Sequence, residues 1–211
     1  MKFKVYILLS FLMFAVLFVP AQAGDGSAQV RERKIKAAFL YNFINFIEWP
    51  KEKMSENDAP VLIGIVGPKK HAEVYNPIMD KKVKGKDIIV NFFSDFCKKA
   101  KNGKRNTSKW DESIEHLKKC HIVFVSNCEI MSKDDLAELL EELKGMSVLT
   151  AGEQESFLAD GGIINFVKDD KKVRFEINLD AAKKNNLEMR SKLLKLARRV
   201  INGKKPREEG K

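Results

Sequence analysis

The chain has 211 residues, 39 Lys and Arg against 29 Asp and Glu, a formal charge of +10, and 44% hydrophobic residues. That share builds a core in one domain of ordinary size without help from disulfides. A basic balance points to nucleic acid in a cytosolic protein, but the N-terminus excludes that partner.

Lys2 and Lys4 open a short positive region, and Val5–Val19 is an apolar run broken only by Ser10. Pro20 and then Ala21-Gln22-Ala23 supply a helix breaker and a small-x-small cleavage pattern, so residues 1–23 read as a signal peptide cleaved after Ala23. The run is short for a membrane span, and no Cys follows the cleavage site to make a lipoprotein. The expected location is the periplasm of a Gram-negative bacterium. Residues 24–211 then form a single domain of charge +8, because the leader takes two lysines and no acid. Nucleic acid is mostly absent outside the inner membrane, which leaves anionic lipid headgroups or an acidic protein surface as partners.

The mature chain opens on "KIKAAFLYNFINFIEWP" (34–50), a helix by its pattern. On a wheel Lys34, Ala38, Tyr41, Asn42, Asn45 and Glu48 fall on one stripe about 120° wide. Ile35, Phe39, Leu40, Phe43, Ile44, Phe46 and Ile47 cover an apolar arc of about 200°, wider than a one-sided surface helix needs. Trp49-Pro50 ends it, because Pro disfavours helical backbone in the residue before it. A core helix covered on two sides is the plain reading. The helix end, Asn45, Glu48 and Trp49, is also expected to border a protein–protein surface, since Trp anchors interfaces when its ring is desolvated. A self-associating dimer and a receptor contact both fit.

"PVLIGIVG" (60–67) predicts a strand buried on both faces, and "KKHAEVYNPIMD" (69–80) a helix ending near Pro77. "GKDIIVNFF" (85–93) is the second strand and "HIVFVSN" (121–127) the third. Between them "CKKAKNGKRNTSKW" (97–110), with six basic residues and no acid, predicts an exposed loop. "SKDDLAELLEELKG" (132–145) is the clearest helix, with Ser132 as its cap, acids in its first turns and Leu136, Leu139, Leu140 and Leu143 on one face. "MSVLT" (146–150) is a fourth strand. "GGIINFV" and "KVRFEIN" flank the polar turn Lys168–Lys172 as an antiparallel hairpin, with Val173, Phe175 and Ile177 on one face. "LDAAKKNN" and "EMRSKLLKLARRVING" predict two C-terminal helices. The second carries Met189, Leu193, Leu196, Ala197 and Val200 on an apolar face, and Lys192, Lys195, Arg198 and Arg199 opposite. This alternation predicts a three-layer α/β fold: a mostly parallel central sheet, an antiparallel C-terminal hairpin, and helices on both faces.

Few residues suggest chemistry. Cys120 and Cys128 flank a strand that holds them about 25 Å apart, too far for a bridge. Cys97 is therefore a partner in any intramolecular disulfide, and pairing with Cys120, with Cys128 or with neither stays open. The same spacing defeats a zinc site from His116, Cys120, His121 and Cys128. "GIVGPKK" (64–70) is neither a Walker A nor a dinucleotide fingerprint, and Ser126 lacks the G-x-S-x-G context. Gly161-Gly162 opens a strand, where Gly marks a bulge or a close backbone approach. No catalytic residue, cofactor site or metal site is expected.

"IKAAFLYNFINFIEWP", "VLIGIVG", "CHIVFVSN", "LADGGIINFVKDDKKVRFEINLDAA" and "SKLLKLARRV" occur in one order from 35 to 200. This ordered set resembles the YfiR-like periplasmic family, the DUF4154 domain. The resemblance implies a non-enzymatic regulator that binds the periplasmic part of an inner-membrane diguanylate cyclase and holds it inactive in cyclic-di-GMP signalling. Similar domains fused to sensor kinases point to an input role and make a sensor kinase with a periplasmic domain the other expected partner. A periplasmic small-ligand sensor or carrier is the alternative. "VLIGIVG" has no Cys to pair with Cys120, and Gln154–Gly162 lacks the family's second cysteine pair. The resemblance therefore carries no redox control over to this chain.

Overall fold

The computed structural model describes residues 25–54, 59–97, 107–126, 131–170 and 172–203. The expected signal peptide, residues 98–106 of the expected loop, and Cys128 lie outside them, as does the side chain of Cys97. The chain divides into two compact units, Met1–Arg31 and Glu32–Lys211. The described part of the first is the beginning of helix α1 (Asp25–Phe46).

The centre of the second unit is a seven-stranded sheet. Strands β2 (Val61–Val66), β3 (Ile88–Phe93), β4 (Ile122–Val125), β5 (Leu149–Gly152) and β6 (Ile164–Asp169) lie in the order β3-β2-β4-β5-β6, all parallel. β7 (Lys172–Asn178) returns antiparallel to β6, pairing Phe166 with Phe175 and Asn165 with Glu176. β9 (Arg199–Ile201) closes that edge parallel to β7. Aliphatic runs such as Val61–Val66 and Ile122–Val125 stay buried because both sheet faces are covered. On one face α1 places Leu40, Phe43 and Ile44 against Ile63, Phe124, Phe166 and Phe175. On the other, α4 (Thr107–Lys119) and α5 (Lys133–Leu143) place Leu117, Leu139 and Leu143 against Val123 and Val125. The three-layer expectation, with its antiparallel hairpin, is met.

The hairpin faces follow the alternation: Phe175 and Ile177 are core, and Arg174 is exposed. Ser132 caps α5 by accepting from the backbone N–H of Asp135, whose carboxylate accepts in turn from the backbone N–H of Ser132. Gly162 marks a close approach. A Cβ there would stand 2.2 Å from the ring of Phe157, and one at Gly152 2.3 Å from the same ring.

Four expectations need correction. Helix α1 stops at Phe46, before Trp49-Pro50, because Ile47–Glu48 form strand β1 and pair antiparallel with β8 (Glu188–Met189). Pro77 does not end a helix. Lys69–Tyr75 is a 3-10 segment, and Pro77 lies in the first turn of the short α3 (Asn76–Met79), where its missing N–H costs nothing. The expected loop 97–110 ends in helix, since Thr107–Trp110 begin α4 with Trp110 buried against Phe96. The long final helix is absent. Strand β8, helix α7 (Ser191–Leu196) and strand β9 replace it, because both strands gain ladder partners that a helix would forgo. In consequence Leu196 and Val200 are exposed, and Arg198 and Arg199 reach across to the carboxylate of Glu176.

Candidate functional surface

After β1 the chain turns through Trp49-Pro50 into the single turn α2 (Lys51–Met54), which lies over the amino ends of the parallel strands. His121, just before β4, anchors it. Its Nε2 is 3.0 Å from the carbonyl oxygen of Lys53, and its Nδ1 accepts from the backbone N–H of Leu62 at 3.1 Å. An acceptor at Nδ1 requires the neutral ring with the proton on Nε2, donated to Lys53. Burial pushes the His121 pKa down to about 4, with the bond to Lys53 opposing and the Lys53, Lys86 and Lys84 ammoniums assisting. Lys53 itself donates to the carbonyls of Lys118, at 2.7 Å, and Met146.

Trp49 packs edge-on to His121 with ring centroids 6.2 Å apart, and only 8% of it is exposed. Its ring belongs to the chain's own core, and its indole N–H is buried without a partner among the described residues. Glu48 stays at the surface and accepts from Arg190 Nε at 3.0 Å across the β1–β8 pair. Asn45 is half-buried on the last turn of α1. Of the three sequence-chosen residues at this corner, Glu48 is exposed, Asn45 half-buried and Trp49 buried.

Sequence reasoning missed Lys36. It lies on the apolar arc of α1, four residues before Leu40 and seven before Phe43, and is 7% exposed. Its ammonium binds Glu32 on the preceding turn at 2.6 Å and Glu153 at the carboxyl end of β5. Burial alone would lower the Lys36 pKa, but Glu153 and Glu32 outweigh it and hold the ammonium above its ordinary value. The bond to Lys36 holds the Glu32 carboxyl below its own. A lysine inside an apolar arc was the available signal, because a buried charge needs a partner. α1 is therefore tied at both ends of the strands: by ions at the carboxyl edge, and by β1 and Trp49 at the amino edge.

The remaining reactive groups serve the framework. The Ser126 hydroxyl donates to the Val66 carbonyl at 3.2 Å. Cys120 is a free, buried thiol, and burial pushes its pKa up to about 12. Among the described residues no group of three His, Cys, Asp or Glu side chains is placed to hold a metal ion. A cleft of about 300 Å³ opens between α5 and α6 (Leu179–Lys184), lined by Leu140, Leu158, Asp160, Lys184 and Ile201 among others. In its wall Asp160 Oδ2 is buried without a partner among the described residues. No described helix is long and apolar enough to cross a membrane.

A family model described as DUF4154, YfiR/HmsC-like, matches residues 33–198. No curated protein matches the chain. Among solved structures, a conserved domain protein from Vibrio cholerae O1 biovar El Tor is similar at a TM-score of 0.51 and 11% identity over 80% of this chain, which spans 60% of that one. The ABC domain from Streptococcus pneumoniae, in complex with L-Trp, aligns at a TM-score of 0.48 and 12% identity, over 67% of this chain and 55% of that one. At such identities the Vibrio likeness concerns the fold alone.

Proposed function

The chain belongs to the YfiR/HmsC-like family of periplasmic regulators, and from that premise we propose that it binds and represses an inner-membrane signalling protein without catalysing a reaction. The partner we favour is a diguanylate cyclase with a periplasmic domain, so that the output is cyclic-di-GMP. The observation that carries this reading is the extent of the family match. It runs over 33–198 and includes the corner at Asn45, Glu48 and Trp49 as well as the hairpin. The roles of the reactive groups agree with it, since the His121 ring, the Ser126 hydroxyl and the Cys120 thiol are engaged in or buried by the framework.

The partner contact we propose lies at Asn45, Glu48 and Trp49, with Glu48 the exposed member and Trp49 the buried one. Deletion of the gene should raise cyclic-di-GMP in its native host, and pull-down from solubilised inner membranes should recover the cyclase. Unchanged cyclic-di-GMP together with recovery of no membrane signalling protein contradicts the proposal.

The small-ligand reading keeps one supporting observation, the cleft beside Asp160 with its unpartnered carboxylate oxygen. An Asp160→Asn variant that abolishes regulation while still binding the partner would favour a sensor, with repression as its output.

A further inference from the structure

Three lysines from two separate segments each stand over an aromatic ring of residues 41–49. Lys81 Nζ lies 5.2 Å from the ring centroid of Tyr41, Lys84 Nζ 5.7 Å from that of Trp49, and Lys192 Nζ 5.7 Å from that of Phe46. None of the three has a carboxylate within salt-bridge distance among the described residues. Lys81 and Lys84 sit on a tight hairpin closed by the Val83–Lys86 bridge, with Lys84 and Gly85 both at positive φ. The Tyr41 hydroxyl fixes that hairpin to α1 by donating to the Lys82 carbonyl at 3.3 Å. Lys192 belongs to α7, which is held beside β1 by the backbone bond from Arg190 N–H to the Phe46 carbonyl. Lys84, which also donates to the Ile47 carbonyl at 3.3 Å, and Lys192 thus adjoin β1 from two segments, and Lys81 shares the hairpin of Lys84, so that the three border one flank. Burial and, less, the neighbouring Arg190 hold the Lys84 ammonium below its ordinary value, with the Glu48 carboxylate opposing them.

Apolar side chains are exposed near these lysines in the chain. Met79, two residues before Lys81, is 40% exposed, and Leu196, one turn after Lys192, is 53% exposed. We propose that this flank is a peripheral membrane-binding surface that recognises the phosphate headgroups of an anionic bilayer. Lysine ammoniums act as point charges and suit phosphates presented at variable positions, whereas a folded acidic partner is better matched by arginine forks. Half-buried Tyr41 and Phe46 with aliphatic tips beside them have the composition of an interfacial contact, while Trp49 stays in the core behind them. A chain of this charge also gains from the potential of an anionic surface. The proposal does not depend on any protein partner, although the flank adjoins Glu48, which lies beside Lys84 and Arg190, and would hold that corner at the membrane.

The test uses protein recovered from the periplasm and protein-free vesicles of phosphatidylglycerol mixed with phosphatidylcholine. Sedimentation should carry the protein with these vesicles and not with phosphatidylcholine alone, and raised salt should release it. Each lysine is worth about fivefold in partitioning at low salt, so removing the three charges should weaken binding about a hundredfold, and the reversed triple Lys81→Glu, Lys84→Glu and Lys192→Glu should weaken it further. The control triple Lys133→Glu, Lys183→Glu and Lys184→Glu, which alters exposed lysines of α5 and α6, should change it far less. The neutral triple Lys81→Gln, Lys84→Gln and Lys192→Gln should fall between wild type and the reversed triple if the charges are responsible. Failure of the wild type to sediment with anionic vesicles, binding that ignores salt, or equal loss in the control triple overturns the proposal. Retention on an acidic periplasmic domain without vesicle binding overturns it as well.

Discussion

The ring of His121 joins two segments by its two nitrogens, accepting from Leu62 N–H at 3.1 Å and facing the Lys53 carbonyl at 3.0 Å. Only the neutral ring makes both bonds, so the turn that carries Trp49 to the sheet is held by a proton-sensitive fastener.

Stability should accordingly fall with pH on the acid side. In the unfolded chain this imidazole takes its proton near pH 6.5, and in the folded chain only near about 4. Between those values the unfolded state binds more protons, so stability rises with pH and the penalty is complete below the folded value. Its full size is about 3 kcal/mol. Denaturant titrations of wild type and His121→Gln from pH 7 to 4 should show a steeper decline in wild type. Parallel curves contradict the assignment.

Lys36 should be intolerant of replacement. Removing one partner of a buried ion pair leaves an uncompensated charge and costs about 3 kcal/mol or more. Lys36→Ala should lower the unfolding free energy by that amount, while Lys36→Met with Glu153→Gln should recover much of it. Equal loss in the single and double variants would mean that the Glu32 and Glu153 carboxylates are not the reason.

Cys120 should behave as an inert thiol. With its pKa pushed up to about 12 by burial, the thiolate fraction near neutral pH is negligible. In the Cys97→Ser, Cys128→Ser background a thiol reagent should label Cys120 only as fast as the protein unfolds. A cysteine-free variant should still melt cooperatively, because a core of this size needs no bridge. Rapid native-state labelling contradicts the burial.

Much of the architecture was legible because local pattern and global burial agree there. Leu136, Leu139, Leu140 and Leu143 predict the buried face of α5, Ser132 predicts its cap, and Phe175 and Ile177 predict the inner face of β7. The failures share a cause. The 188–203 segment has helical periodicity, yet its two short strands are decided by β1 and β7, which are distant in sequence. Trp110, Ile114 and Leu117 give α4 a buried face at four- and three-residue spacing, but the basic stretch before it drew the segment into a loop. At the candidate surface, Asn45 at the end of α1 and Glu48 just beyond it were legible as polar positions. The partners of Trp49 and Lys36 were not, because His121, Lys84 and Glu153 reach them only through the fold.

The corner at residues 45–49 separates folding from recognition. Trp49→Ala should cost about 3–5 kcal/mol, as a large core ring does, and any loss of repression would follow from unfolding. Glu48→Lys breaks a half-exposed pair with Arg190 worth at most about 1 kcal/mol, so the melting midpoint should barely move. A thermal shift in Glu48→Lys as large as in Trp49→Ala would place Glu48 in the framework instead.

Glu48→Lys therefore tests the central claim most directly. The measurement is cyclic-di-GMP in host cells that carry wild type, Glu48→Lys or no copy of the gene, with periplasmic protein levels matched. The account predicts that the folded variant leaves cyclic-di-GMP raised toward the level of the deletion and fails to capture the cyclase from inner membranes. Full repression and normal capture by Glu48→Lys would contradict the partner surface, and a deletion that leaves cyclic-di-GMP unchanged would contradict the function itself.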